Sequence, residues 1–272
     1  MAASQLVADL ALALELADLA DEITLARFRA ADLLIETKPD LTPVTEADRD
    51  VEAVLRARLA DARPGDGVLG EEAGESSGVD AVRRWVIDPI DGTKGYARGI
   101  PVWATLIALE IDADAVLGVV SAPALGSRWW AARGLGAFRD EEPISVSHVS
   151  TIEDAHLAYS SVDAFEAEGL GEAFLALARR CWRARGFGDF WSYVLVADGS
   201  IDIAVEVSGG MPALQRWDLA APMAVVQEAG GRFTDLAGVA RADGGNAVAT
   251  NGVLHDDVLA ALAPDLARSD RR

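Results

Sequence analysis

The sequence predicts a mixed fold, α+β in its first half and α/β in its second, with helices and sheets stacked in layers. Two observations carry this. From residue 83 to 147 the chain reads as successive strands, with Gly, Pro or Asp in most of the gaps. After residue 148 strand and helix patterns alternate, which points to a layered α/β unit. The boundary is expected near residue 148, giving one domain over 1–147 and a second over 148–272.

The elements follow in order. Residues 4–30 are rich in Ala and Leu, with Leu6, Leu10, Leu14 and Ala17 at helical spacing. They predict one amphipathic helix, ~40 Å long if unbroken. Residues 36–45 hold two prolines and little periodicity, so they read as a loop. Thr45-Glu-Ala-Asp48 opens a second helix whose apolar face is Val51, Val54, Leu55 and Leu59, and Arg63-Pro-Gly-Asp-Gly67 ends it. Val68-Leu-Gly-Glu-Glu72 is a short strand running into a Gly/Ser loop over 73–79. Strands are expected from Trp85 to Asp88, Val102 to Ile111, Ala115 to Ser121, Arg128 to Ala132 and Ile144 to Ser147. The second half reads as strand 156–160, helix 165–179, strand 181–186, helix 190–198 and strand 201–207. Helix 217–229, strands 231–235 and 247–250, and helix 253–262 complete it, with a polar, frayed tail from Pro264.

Composition narrows the function. The chain has 272 residues, 51% hydrophobic and 25% charged, which is ordinary for a globular protein. Its formal net charge of −20 argues against nucleic acid or an anionic membrane as a partner, since both need basic patches. A phosphorylated small molecule stays possible, because metal ions can supply local positive charge. The sequence has no run of 18 apolar residues and no basic segment ahead of an apolar one. A cytoplasmic protein without a membrane span is expected. The single cysteine, Cys181, excludes an internal disulfide and a cysteine-rich zinc site; its neighbours read as strand, and it is expected to be structural. The histidines, His148, His156 and His255, have no zinc-ligand spacing.

Chemistry concentrates in Asp88-Pro-Ile-Asp91-Gly-Thr93. Two acids three residues apart on a proline-stiffened turn repel by roughly 4 kcal/mol at ~4 Å and an effective dielectric of about 20. A shared proton, a basic partner or a hard divalent cation must offset this. Asp91-Gly-Thr also opens a helical turn whose N–H groups suit a phosphate. Four further elements accompany it: Gly70-Glu71-Glu72 at a strand end; Thr45-x-x-Asp48, which reads as a capping box; Trp217-Asp218 at the start of an apolar helix; and Arg185-Gly-Phe-Gly-Asp189-Phe190 at a strand-to-helix turn. Pro89 stands where the haloacid-dehalogenase phosphatases place a nucleophilic aspartate, so an aspartyl-phosphate mechanism is disfavoured. No Gly-x-x-x-x-Gly-Lys-Ser/Thr loop is present, which disfavours a P-loop nucleotide hydrolase.

Taken together, these motifs resemble the inositol monophosphatase superfamily, in order and spacing, from residue 6 to 262. The resemblance implies a layered α-β-α-β-α sugar-phosphatase fold and a dimer. Within the superfamily the chain is most similar to the actinobacterial histidinol-phosphate phosphatases. Arg98 to Ala108, Val119 to Ala124, Arg128 to Arg133, Gly188-Asp-Phe190 with Ser192-Tyr193, and Ala247 to Gly252 carry that likeness.

The resemblance implies a Mg2+-dependent phosphomonoesterase with two or three ions. Glu71, Asp88 and the Ile90 carbonyl are expected at one ion, and Asp88, Asp91 and Asp218 at a second. Thr93, oriented by Asp48, is expected to hold the attacking water, with no covalent enzyme intermediate. Gly92 and Thr93 are expected at the phosphoryl oxygens, and Arg185, Gly188, Asp189, Phe190 and Glu206 around the rest of the substrate. L-Histidinol phosphate, which carries an amine and an imidazole, suits Asp189 and Glu206. The alternatives are inositol-1-phosphate or another small sugar phosphate, a 3′-phosphonucleotide, or a catalytically weakened homologue. Two departures from the pattern motivate the last. Gly95 stands where the family has Asn or Ser, which predicts a looser turn and weaker phosphate binding. The stretch between Glu206 and Trp217 is longer than the resemblance to the subfamily leads one to expect.

Overall fold

A computed structural model describes residues 3–38, 42–76, 82–209 and 213–263. The first half contains helix α1 (Ala3–Arg27), a hairpin β1 (Ile35–Thr37) and β2 (Pro43–Thr45), and helix α2 (Glu46–Ala62). Strands β3 (Gly67–Gly70), β4 (Gly74–Glu75) and β5 (Arg83–Asp91) follow, then the short helix α3 (Thr93–Ala97). Strands β6 (Ala104–Ile111), β7 (Asp114–Ala122), β8 (Ser127–Ala132), β9 (Gly136–Arg139) and β10 (Glu142–Ile144) complete an eight-stranded sheet of order β10-β9-β8-β7-β6-β5-β3-β4.

The second half holds β11 (His156–Tyr159), α4 (Val162–Ala167), α5 (Gly171–Arg180), β12 (Arg183–Gly186), α6 (Asp189–Ala197) and β13 (Ile203–Val207). It ends with α7 (Arg216–Glu228), β14 (Arg232–Thr234), β15 (Asn246–Thr250) and α8 (His255–Leu262). Its five-stranded sheet has the order β12-β11-β13-β15-β14.

The layers are α-β-α-β-α. Helices α1 and α2 pack one face of the large sheet over Leu16, Val51, Leu55, Trp85 and Ile107. Helices α6 and α7 fill the space between the sheets, where Val86, Leu106, Val120, Tyr193, Leu219 and Phe233 share one core. Helices α4, α5 and α8 cover the outer face of the small sheet over Phe165, Phe174, Val205 and Val258. The middle layer is tight: a Cβ on Gly118 of β7 would lie 2.3 Å from the Ala221 carbonyl oxygen of α7. A glycine there lets the helix that carries Asp218 lie directly on the sheet.

Four local readings are corrected. The first helix stops at Arg27, because Arg29 adopts a left-handed conformation (φ 64°) and turns the chain. The expected loop over 36–45 contains the β1–β2 hairpin, whose Thr45 leads straight into α2; residues 39–41 lie outside the described residues. The helix expected over 165–179 is two helices, parted at Gly169 (φ 72°). Cys181 caps α5 rather than lying in a strand; it is buried, and burial pushes its thiol up to about 11. Trp103 and Trp129 are enclosed in the core, and Trp130 stacks on Phe138 at 4.2 Å. No described helix is long and apolar enough to cross a membrane.

Candidate active site

Residues three apart on a regular strand point to opposite faces. Asp88 and Asp91 escape this because β5 is irregular between them: Asp88 pairs with Leu106, while Asp91 pairs with Ala104. The bulge inserts one residue at Pro89-Ile90 and returns both carboxylates to one side. Proline is tolerated in a bulge because no ladder N–H is lost there. The freed Pro89 carbonyl accepts the Thr105 hydroxyl at 2.8 Å.

Asp218 reaches the same point from α7. It sits in the first turn, where its Oδ2 accepts the Gln215 N–H at 2.6 Å. Oxygens of Asp88, Asp91 and Asp218 lie within 4.8 Å of one another. Burial raises Asp88 well above the carboxylate range, and the charges of Glu71, Asp91 and Asp218 add to it. Burial likewise raises Asp91, helped by Asp189 and Asp218. Asp218 is pushed to about 7 by burial, against its bond from Gln215 and a hydrogen bond with Asp88. Asp88 Oδ1 is buried and has no hydrogen-bond partner among the described residues. A converging all-oxygen donor set with an orphaned buried oxygen fits a hard divalent cation.

Glu71 lies outside that trio, just beyond β3. Lys38 holds its Oε1 at 2.7 Å and pairs with Glu72 as well. Burial lowers the Lys38 ammonium, but its hydrogen bonds to Glu71 and Glu72 outweigh this and leave it raised.

Asp48 sits in the first turn of α2. Its Oδ2 accepts the Thr45 N–H at 2.7 Å and the Thr45 hydroxyl at 2.6 Å. Its Oδ1 faces the Thr93 hydroxyl at 3.4 Å, while that hydroxyl also donates to the Ile90 carbonyl at 2.8 Å. Burial pushes Asp48 up to about 7, against its two bonds from Thr45. Gly92 opens α3 with φ 85°, and a Cβ there would lie 3.0 Å from the Val102 carbonyl oxygen. Gly95 is hydrogen-bonded into this turn: its N–H donates to the Gly92 carbonyl at 2.8 Å and its own carbonyl accepts from Arg98 and Ile100; a Cβ would make ordinary contacts, 3.4 Å from the Val102 carbonyl oxygen and 3.7 Å from Ile100.

Beside the aspartates lies a cavity of about 410 Å³. Asp189, Phe190 and Glu206 line it, as the sequence suggests, together with Ser160, Asp163 and Lys94, which sequence reasoning missed. Glu206 is buried; its Oε2 accepts the Tyr193 hydroxyl at 2.7 Å, and burial with the nearby Asp189 charge pushes it to about 8. The Ser160 hydroxyl is buried without a partner among the described residues. Four expected substrate contacts are not on the cavity wall: Gly92 and Thr93, which form the turn described above, and Arg185 and Gly188. Arg185 lies on the outermost strand of the small sheet, exposed, with its guanidinium on the Ala184 carbonyl. Gly188 caps α6 with φ 69° and acts through its backbone. Of the stretch after Glu206, residues 210–212 lie outside the described residues; Gly209 packs against Ala164, and Ala213 and Leu214 line the cavity.

Residues 6–268 match the Inositol monophosphatase family. This chain belongs to that family. It is 56% identical to the histidinol-phosphatase of Mycobacterium tuberculosis over 259 residues, covering 93% of this chain and 97% of that one. It is 52% identical to the histidinol-phosphatase of Streptomyces coelicolor, covering 93% and 96%. Among solved structures, the extragenic suppressor protein SuhB of Bartonella henselae superposes with a TM-score of 0.86 at 29% identity, over 95% of this chain and all of that one. An inositol monophosphatase from Zymomonas mobilis gives 0.82 at 33% identity, over 96% and 99%. Membership in this family makes the chain a phosphoric monoester hydrolase.

Proposed function

We propose that this enzyme hydrolyses L-histidinol phosphate to L-histidinol and phosphate, with magnesium as its cofactor. The cavity carries the reading. Five acids line it (Asp91, Asp163, Asp189, Glu206 and Asp218), with Lys94 the one basic side chain among the described lining residues. With Asp91 and Asp218 given to metal, Asp163, Asp189 and Glu206 remain, and they favour a leaving group that is itself cationic, as an aminoalcohol bearing an imidazole is. Inositol is neutral and calls for hydroxyl partners instead. High identity to two histidinol-phosphatases over nearly the full length supports the same choice.

Asp88, Asp91 and Asp218 would hold one ion; Asp88, Glu71 and the Ile90 carbonyl would hold another. Bound magnesium supplies positive charge for the phosphoryl oxygens and makes water a stronger acid. The chain does the rest. The Thr93 hydroxyl positions the attacking water and takes a proton from it while passing its own to Asp48 Oδ1, whose affinity near pH 7 suits a general base; the departing alkoxide takes its proton from solvent water. The 3.4 Å separation shortens as the water seats. Backbone N–H groups of Gly92 and Thr93 face the phosphoryl oxygens, and no covalent intermediate forms. Glu206, with the Tyr193 hydroxyl fixing one oxygen, offers the other to the substrate ammonium. Residues 1–147 then supply most metal ligands, and residues 148–272 supply Asp218 and the leaving-group pocket.

Phosphate release measured side by side on histidinol phosphate, inositol-1-phosphate and 3′-phosphoadenosine 5′-phosphate tests this. Histidinol phosphate is expected to have the highest kcat/KM; a preference for either other substrate overturns the assignment. Release from none would make the chain a non-catalytic homologue. A cytoplasmic homodimer belongs to the same reading through the family resemblance, and sedimentation velocity tests the dimer.

A further inference from the structure

We propose that Glu52 is a positioning residue that sets the Glu71 side of the metal centre from beneath. Asp48, Glu52 and Arg56 are four residues apart along α2 and share one face of the helix. Asp48 serves Thr93, and the other two hold the turn that follows β3. Glu52 is buried, 1% exposed, and spends its carboxylate on backbone: Oε2 accepts the Glu72 N–H at 2.7 Å and Oε1 accepts the Ala73 N–H at 3.0 Å. Arg56 bonds Glu52 Oε1 at 2.7 Å and also bonds the Gly74 carbonyl. The turn carrying Glu71 and Glu72 is thereby anchored on three successive residues, 72 to 74.

The same contact explains Gly70. A Cβ at that position would stand 2.3 Å from Glu52 Oε1, so the glycine of Gly70-Glu71-Glu72 is the space the buried carboxylate occupies. Both N–H groups are thereby tied to Glu52, while Lys38 holds the neighbouring Glu71 carboxylate at 2.7 Å. Replacing Glu52 by Gln keeps the shape but turns one acceptor into an NH2 group facing an N–H donor. The turn must then rotate, and the Glu71 carboxylate rotates with it.

This inference rests on the proposed magnesium site, and the experiment separates the two. Magnesium binding to metal-stripped full-length enzyme is measured by calorimetry for wild type and Glu52→Gln, with thermal melts of both in EDTA. Binding is expected to weaken by about 10- to 100-fold, as for other outer partners of metal ligands, with KM for substrate little changed at saturating magnesium. A merely structural role lowers the melting temperature and leaves magnesium affinity within about twofold of wild type, and that result overturns the proposal. Failure of wild type to bind magnesium overturns the site itself. Should Glu52→Gln not fold, Gly70→Ala, which displaces the same carboxylate, is held to the same criterion. Hydrogen exchange on the wild-type enzyme decides independently of either variant: slow exchange at the Glu72 and Ala73 amides is expected, and exchange at open-loop rates overturns the anchor.

Discussion

The backbone N–H of Phe190 donates to Asp91 Oδ2 at 2.6 Å, joining two residues 99 positions apart. Asp91 ends the bulged strand of the large sheet, and Phe190 lies in the first turn of α6. The bond satisfies one of the free N–H groups at that helix start and places the carboxylate at the positive end of the helix. It also brings the cavity wall formed by α6 against the acidic trio.

Asp88 is the acid shared by both proposed ions. Asp88→Asn is expected to lower kcat/KM by about three orders of magnitude or more, roughly 4 kcal/mol of transition-state stabilisation. EDTA is expected to abolish activity and added magnesium to restore it. Activity of Asp88→Asn near wild type in magnesium would sink the two-ion reading.

Thr93→Ala is expected to reduce kcat by about 10²- to 10⁴-fold with little change in KM, because the hydroxyl acts on the water and not on substrate binding. Steady-state kinetics at saturating magnesium decide this. A rise in KM at constant kcat assigns Thr93 to binding alone.

Glu206→Gln is expected to lower kcat/KM for histidinol phosphate by about 10- to 100-fold, the value of a charge-assisted hydrogen bond. Inositol-1-phosphate hydrolysis should suffer less. Equal losses on both substrates would place Glu206 in the scaffold.

Gly118→Val forces a side chain into the Ala221 carbonyl of α7. Overpacking of this kind is expected to cost about 1–3 kcal/mol, seen as a lower melting temperature in denaturation experiments. An unchanged melting temperature would show that α7 can lift from the sheet.

The metal-free protein should lose stability as pH rises from 6.5 to 8. Asp48 and Asp218 bind protons up to about 7 and Glu206 up to about 8 in the fold, against ordinary values of 3.8 and 4.5. The folded state therefore holds more protons than the unfolded chain, and stability falls with pH through those values. His255, held near 4 by burial, works in the opposite sense only below its ordinary value of 6.5. Melting temperatures in EDTA at pH 6.5 and pH 8 test the sign. Magnesium should raise the melting temperature more at pH 8, where the carboxylates are ionised.

The residues of the acidic trio were legible because their signals are local. Asp88-Pro-Ile-Asp91 announces two close carboxylates, and Trp217-Asp218 ahead of an apolar run announces a helix start. The Thr45–Asp48 cap was readable for the same reason, and the structure adds that this cap turns the free oxygen of Asp48 toward Thr93. Gly95 reads in sequence as a missing side chain; in space its N–H and its carbonyl are both hydrogen-bonded within the turn.

By itself, the sequence determined most helices and strands and the acids of the trio, since periodicity, turn chemistry and short motifs act over a few residues; the order of layers came through the family resemblance that those motifs carry. Only the tertiary structure decided which other groups reach them. Lys38 meets Glu71 across 33 residues, Glu52 meets Glu72 across 20, and Ser160 lines the cavity with Asp91 and Asp218. Arg185, promising beside its glycines, lies exposed on an edge strand and does not line the cavity. These outcomes depend on a strand bulge and on the stacking of α6 and α7 between two sheets. Both set side-chain direction through long-range packing, which no local spacing encodes.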